Sequence, residues 1–138
     1  MNPRLIDEIC TIGKLEQYRK TLTSILTIIQ NNGCSISTRY DVRYSNIEQN
    51  IGSSSRIRVS MINVANPLDI IWKLLHEYGH YLSGPKMLKD TLMQREELAW
   101  TYADKLVQLY PDLVAKIDDY ETCKEVCLDS YRKKKSSD

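Results

Sequence analysis

No stretch of this 138-residue chain approaches the ~18 uninterrupted apolar residues that a membrane span requires. The most apolar segment, around Ile70 to Leu75, is cut by Lys73 and followed by His76 and Glu77. The beginning, MNPRLIDEICTIGK, lacks an apolar h-region and a small-residue cleavage site, so no signal peptide is read and the expected location is the cytoplasm. An excess of one charge is lacking too. The 19 Lys and Arg against 18 Asp and Glu leave a net charge of +1, which excludes a strong electrostatic case for direct nucleic-acid or membrane binding. The one dense basic run, Arg132-Lys133-Lys134-Lys135, reads as part of a solvated tail. Cysteine is sparse. Cys10, Cys34, Cys123 and Cys127 read most simply as free thiols in a reducing compartment. The i,i+4 spacing of the last two suits a metal or the burial of two small apolar groups, and no second Cys or His pair lies beside them.

What is present suits one domain around one core, over residues 1–131, with a basic flexible tail over 132–138. Asn2-Pro3 can open a helix. Leu5, Ile9, Ile12, Leu15, Tyr18, Leu22, Ile25 and Ile29 then recur at steps of three and four, which predicts an amphipathic helix, broken near Gly13 and ending at Asn31-Asn32-Gly33. The period changes to two at Ile36, Thr38, Tyr40, Val42 and Tyr44, giving a strand, and again at Ile57, Val59 and Met61, giving a second. A loop rich in Ser, Asn and Gly over Asn46 to Ser55 suggests that the two pair antiparallel. If the second strand is an edge, an extended peptide could add to it through backbone hydrogen bonds. Asn66-Pro67 opens a further helix that Ser83-Gly84-Pro85 stops. Another helix is expected from Asp90 to Tyr110 and a last one from Pro111 to Tyr131. The order α, β, β, α, α, α is α+β: an N-terminal helix, a small antiparallel sheet, and helices packed against it.

Only two histidines occur, and both lie in His76-Glu77-Tyr78-Gly79-His80. Residues four apart share one helix face, so two imidazoles so placed can bind one zinc ion. Glu77 projects at a different angle and suits the role of general base acting on water at the metal. A third ligand is required, and it is not a third histidine: in the HExxHxxGxxH pattern the glycine and histidine positions are Ser83 and Lys86. No histidine remains, so the third ligand is a carboxylate or a cysteine, and the next helix offers Glu96 and Glu97, a gluzincin-like arrangement. Glu96 shares a face with Leu92, Ala99, Ala103 and Leu106, an inward stripe, whereas Glu97 shares one with Met93, Thr101, Asp104 and Gln108. The phase favours Glu96, with Glu97 as the alternative and Asp90 as a weaker candidate. An oxyanion donor must come from elsewhere, and Tyr40, Tyr44, Tyr78, Tyr81, Arg56 and Arg58 stand unranked.

HEYGH followed by Glu96-Glu97-Leu98-Ala99-Trp100-Thr101-Tyr102-Ala103 resembles the ImmA/IrrE metallopeptidase family. That family carries HE-x-G-H and then a helix with an E-x-x-A core and an aromatic-alanine pair, matched here by Gly79 and by Tyr102-Ala103. The sharp identity is confined to these two helices, and Trp100 stands where the family commonly has a polar residue. The resemblance implies a zinc metallopeptidase with Glu96 as third ligand. The substrate it implies is a cytoplasmic protein, with helix-turn-helix transcriptional repressors among the family's targets. Two rivals stand beside it: a protease-like metal-binding module that acts by contact with a regulator or toxin partner without turnover, and a zinc hydrolase acting on a non-peptide bond.

Overall fold

The N-terminal periodicity resolves into two helices rather than one. α1 spans Pro3–Ile12 and ends where Lys14 takes a left-handed backbone conformation, φ 58°. A 3-10 turn, Glu16–Tyr18, then leads into α2, Arg19–Asn31. α2 stops at Gly33, whose φ of 88° costs a residue without a Cβ little. These features come from a computed structural model that describes residues 3–49, 54–62, 64–84 and 91–137, with side chains as far as residue 133.

The strand periodicity is only partly realised. β1 spans Cys34–Arg39, and the chain turns away at Tyr40 instead of continuing to Tyr44. β2, Asn46–Glu48, lies within the segment read as loop. β3 spans Ser55–Ser60. Among the described residues the sheet has the order β1-β3-β2, with β1 parallel to β3 and β2 antiparallel to it. The antiparallel pairing expected from the sequence is therefore corrected to a mixed sheet. The reason is a count of chain reversals. The chain reverses once before β2 and again before β3, so β1 and β3 run the same way. β3 is the central strand, paired on both sides from Arg56 to Arg58, so it is not the free edge to which a peptide could add.

Four further helices follow among the described residues. α3 spans Leu68–Ser83, opened by Asn66, whose Oδ1 accepts from the Leu68 amide at 3.1 Å, and closed at Gly84, φ 80°. α4 spans Leu92–Val107 and begins with a capping box in which Thr91 and Gln94 satisfy each other's backbone N–H groups. The last helix expected from the sequence divides into α5, Pro111–Val114, and α6, Ile117–Ser137. The segment from Arg132, read as a tail, is thus the end of α6. No helix among the described residues is long and apolar enough to cross a membrane. The architecture is α+β.

α3 is the centre of the core. Ile70, Ile71, Trp72, Leu74, Leu75, Tyr78 and Gly79 are all buried, more of the circumference than one amphipathic stripe accounts for. It packs against β3 and β2 on one side and against α4 and α6 on others. Trp72 and Trp100 meet the Tyr120 ring edge-on at 5.2 and 5.8 Å between centroids, which ties α3, α4 and α6 together.

Candidate metal centre

The α3–α4 contact is set by two small residues. A Cβ built on Gly79 would lie 2.2 Å from the carbonyl oxygen of Ala99. Glycine therefore lets the α4 backbone approach closer than any side chain permits. Three residues before each of these positions stand His76 on α3 and Glu96 on α4, one helical turn away on nearly the same face. The close approach at Gly79 and Ala99 thus fixes how far the Glu96 carboxylate lies from the α3 imidazoles. Gly79→Ala is expected to destabilise the fold by about 3 kcal/mol, since the obstructing atom is backbone and cannot swing away. Chemical denaturation measures this, and a loss below about 0.5 kcal/mol would show that the helices separate freely.

Glu96 is 4% exposed and points at both histidines. Its Oε2 lies 2.7 Å from His76 Nε2 and its Oε1 lies 3.0 Å from His80 Nε2. One ligand atom from each of the three residues lies within 4.8 Å of the others, so the set can hold a metal ion. Donor atoms on a tetrahedral zinc, with bonds of about 2.0–2.1 Å, lie about 3.3 Å apart. The observed distances need to widen by only about 0.3–0.7 Å to admit the ion, and two imidazoles with a carboxylate are donors that zinc accepts. Glu97 is exposed on the other phase of α4 and is not part of this set, so its place as alternative third ligand is not borne out by the geometry. Asp90 lies outside the described residues.

Glu77 is buried beside the set without joining it. Its Oε1 reaches the flank of the His76 ring, 3.5 Å from Nδ1. The ring is also stacked on Trp100, centroids 4.3 Å apart and planes within 11°, so its orientation is held from two sides. The indole nitrogen of Trp100 makes no hydrogen bond among the described residues, so its contribution here is the flat face.

The electrostatics of the set follow from its contacts. Burial opposes a charged imidazolium at His76, but hydrogen bonds to Glu77 and Glu96 outweigh it and raise the ring to about 9. Burial likewise opposes ionisation of Glu96, and the hydrogen bonds from His76 and His80 overcome it, holding the carboxyl well below the usual carboxylate range. Without metal, His76 is therefore protonated at neutral pH, whereas a metal takes the neutral ring. Zinc binding near pH 7 is expected to release about one proton, and the affinity to rise with pH until about 9. Calorimetric titration in buffers of different ionisation enthalpy measures this. A binding enthalpy independent of the buffer would contradict it.

The oxyanion candidates read from the sequence do not gather here. Tyr40 donates to Glu8, and Tyr81 donates to the Asn32 carbonyl at 2.7 Å. Tyr78 accepts from Asn32 Nδ2 at 3.0 Å. Arg56 reaches Ser35, Arg58 pairs with Glu48 and Asn46, and Tyr44 is exposed. The residue that sequence reasoning missed is Tyr131 on α6, whose hydroxyl hydrogen-bonds to Glu96. Burial and the Glu96 charge both push its ionisation up, so it is a neutral donor. Its signal was present in the stripe Cys123, Cys127, Tyr131 at steps of four, but the stripe does not name the helix that it faces.

Compared with family models, with curated proteins and with solved structures, the chain matches none.

Proposed function

We propose that this protein is a zinc metallopeptidase that hydrolyses a peptide bond in a cytoplasmic protein. The observation that supports the reading most is the convergence of Glu96 on both imidazoles of the HEYGH helix, with a second buried carboxylate, Glu77, left outside the donor set. His76, His80 and Glu96 would hold the ion. When bound, zinc supplies Lewis-acid polarisation of the scissile carbonyl and makes water more acidic. Glu77 takes the proton of the attacking water on its carboxylate and returns it to the leaving amine nitrogen. Trp100 and Glu77 fix the His76 ring. Tyr131 spends its one hydroxyl proton on Glu96 and steadies that carboxylate.

The resemblance to the ImmA/IrrE family makes helix-turn-helix repressors the first substrates to test, an analogy at the level of two helical motifs. An extended substrate cannot add to β3, which is paired on both sides. The edge strand tied to the metal helix is β2, where the neighbouring Gln49 side chain donates to the His80 carbonyl at 3.2 Å. Cleavage of a candidate repressor by the wild type, set against Glu77→Gln, tests the reading.

A further inference from the structure

Lys73 and Cys127 face each other across the α3–α6 contact, with the Lys73 ammonium donating to the Cys127 sulfur at 3.0 Å. Cys123, one helical turn before Cys127, and Asp69 of α3 line one cleft with the pair. A sulfur at which an ammonium is aimed across a helix contact is arranged for the thiolate. The cleft measures about 430 Å³ and lies apart from the three-donor set. Cys127 is half-buried on its wall, so a small reagent can reach it. Cys10 and Cys34 are different: both are buried, and burial pushes their thiols up.

The charges around Cys127 set its state. The neighbouring Cys123 thiol lowers it most, burial opposes ionisation, and the Lys73 ammonium lowers it further, with a small contribution from His76, so the Cys127 thiol is held below the usual thiol range. Negative groups also border the cleft: Asp69 from α3, and Asp118 and Asp119 from α6. Asp119 is engaged by Trp72 Nε1 at 2.7 Å and by Asn66 Nδ2 at 2.8 Å. The nearest charge to the sulfur is thus the Lys73 ammonium, while the carboxylates repel anionic reagents from the cleft mouth. A neutral, small electrophile fits both conditions.

We propose that Cys127 is a modification site, a reactive thiolate held by Lys73 that small neutral hydroperoxides oxidise to the sulfenic acid. The sulfur lone pair attacks one peroxide oxygen, the S–O bond forms and the O–O bond breaks. The sulfur gives up two electrons, which the peroxide takes. The departing oxygen takes the proton of the Lys73 ammonium, and hydrogen peroxide leaves as water; the lysine regains its proton from solvent. This site goes beyond the metal reading and does not rest on it.

The test exposes the full chain at pH 7 to a stoichiometric amount of hydrogen peroxide, traps sulfenic acid with dimedone, and maps the adduct by mass spectrometry. The adduct is expected on Cys127 at about tenfold or more over any other cysteine, and Lys73→Met should lower it by about tenfold. Equal labelling of the four cysteines overturns the proposal, as does an unchanged yield in a folded Lys73→Met. Should that variant fail to fold, the wild type decides through its Cys127 alkylation rate with iodoacetamide. An inflection about a unit or more below the ordinary thiol value of about 8.5 supports the thiolate, and one at or above that value overturns it.

Discussion

Glu77→Gln is expected to keep the fold and the zinc and to lose cleavage by about 10²–10⁴-fold, the usual contribution of a general base. Glu77 is buried beside His76 and outside the three-donor set, so replacing it removes no ligand. Glutamine has nearly the same shape and fills the same space, but its amide cannot take a proton from water. Co-expression of wild type or variant with a candidate helix-turn-helix repressor, followed by a search for fragments, measures the effect. The variant should bind the repressor and leave it whole. If wild type and variant both leave it whole while biological activity survives in each, the peptidase reading fails for that substrate. A metal-binding module that acts by contact then becomes the better account.

The second large effect separates two adjacent carboxylates. Glu96→Gln is expected to weaken zinc binding by more than ~100-fold, beyond the tenfold to hundredfold typical of groups outside the ligand shell. Glu96 is the one carboxylate of the set, and each of its oxygens faces a different imidazole. Glu97→Gln, on an exposed position, should leave the affinity within about twofold, because surface substitutions away from special features change little. Competition with a chelator of known affinity ranks the variants. Equal losses, or the reverse order, would mean that the wrong carboxylate was chosen.

The contrast between Glu96 and Glu97 shows what helical phase makes legible. One residue turns a side chain by about 100°. That is enough to carry it from the face of Ala99 and Ala103 to solvent, so periodicity favoured Glu96 while leaving Glu97 open, and Leu92, read into the same inward stripe, is exposed. The ends of α3 were legible for a similar reason, since Asn66-Pro67 and Gly84 are local stops and starts. Strand pairing was not. β2 has three residues, too few for an alternation to register, and without it the two reversals between β1 and β3 look like one. The break between α5 and α6 carries no glycine or proline to mark it. Tyr131 and the Lys73–Cys127 pair were hidden for a different reason. Each joins α6 to a helix far away in the chain, and no local pattern states which faces meet. Gly79 lies between these cases: its place in the motif was visible, but the 2.2 Å approach to Ala99 that requires it belongs to the packed pair.

Everything in the functional reading passes through the ion that His76, His80 and Glu96 would share. Elemental analysis of protein purified without added metal, followed by zinc titration of a chelator-stripped sample, addresses it most directly. The expected result is about one zinc per chain, retained on purification or taken up on titration. A metal-free, folded protein that also fails to take up zinc would contradict the account.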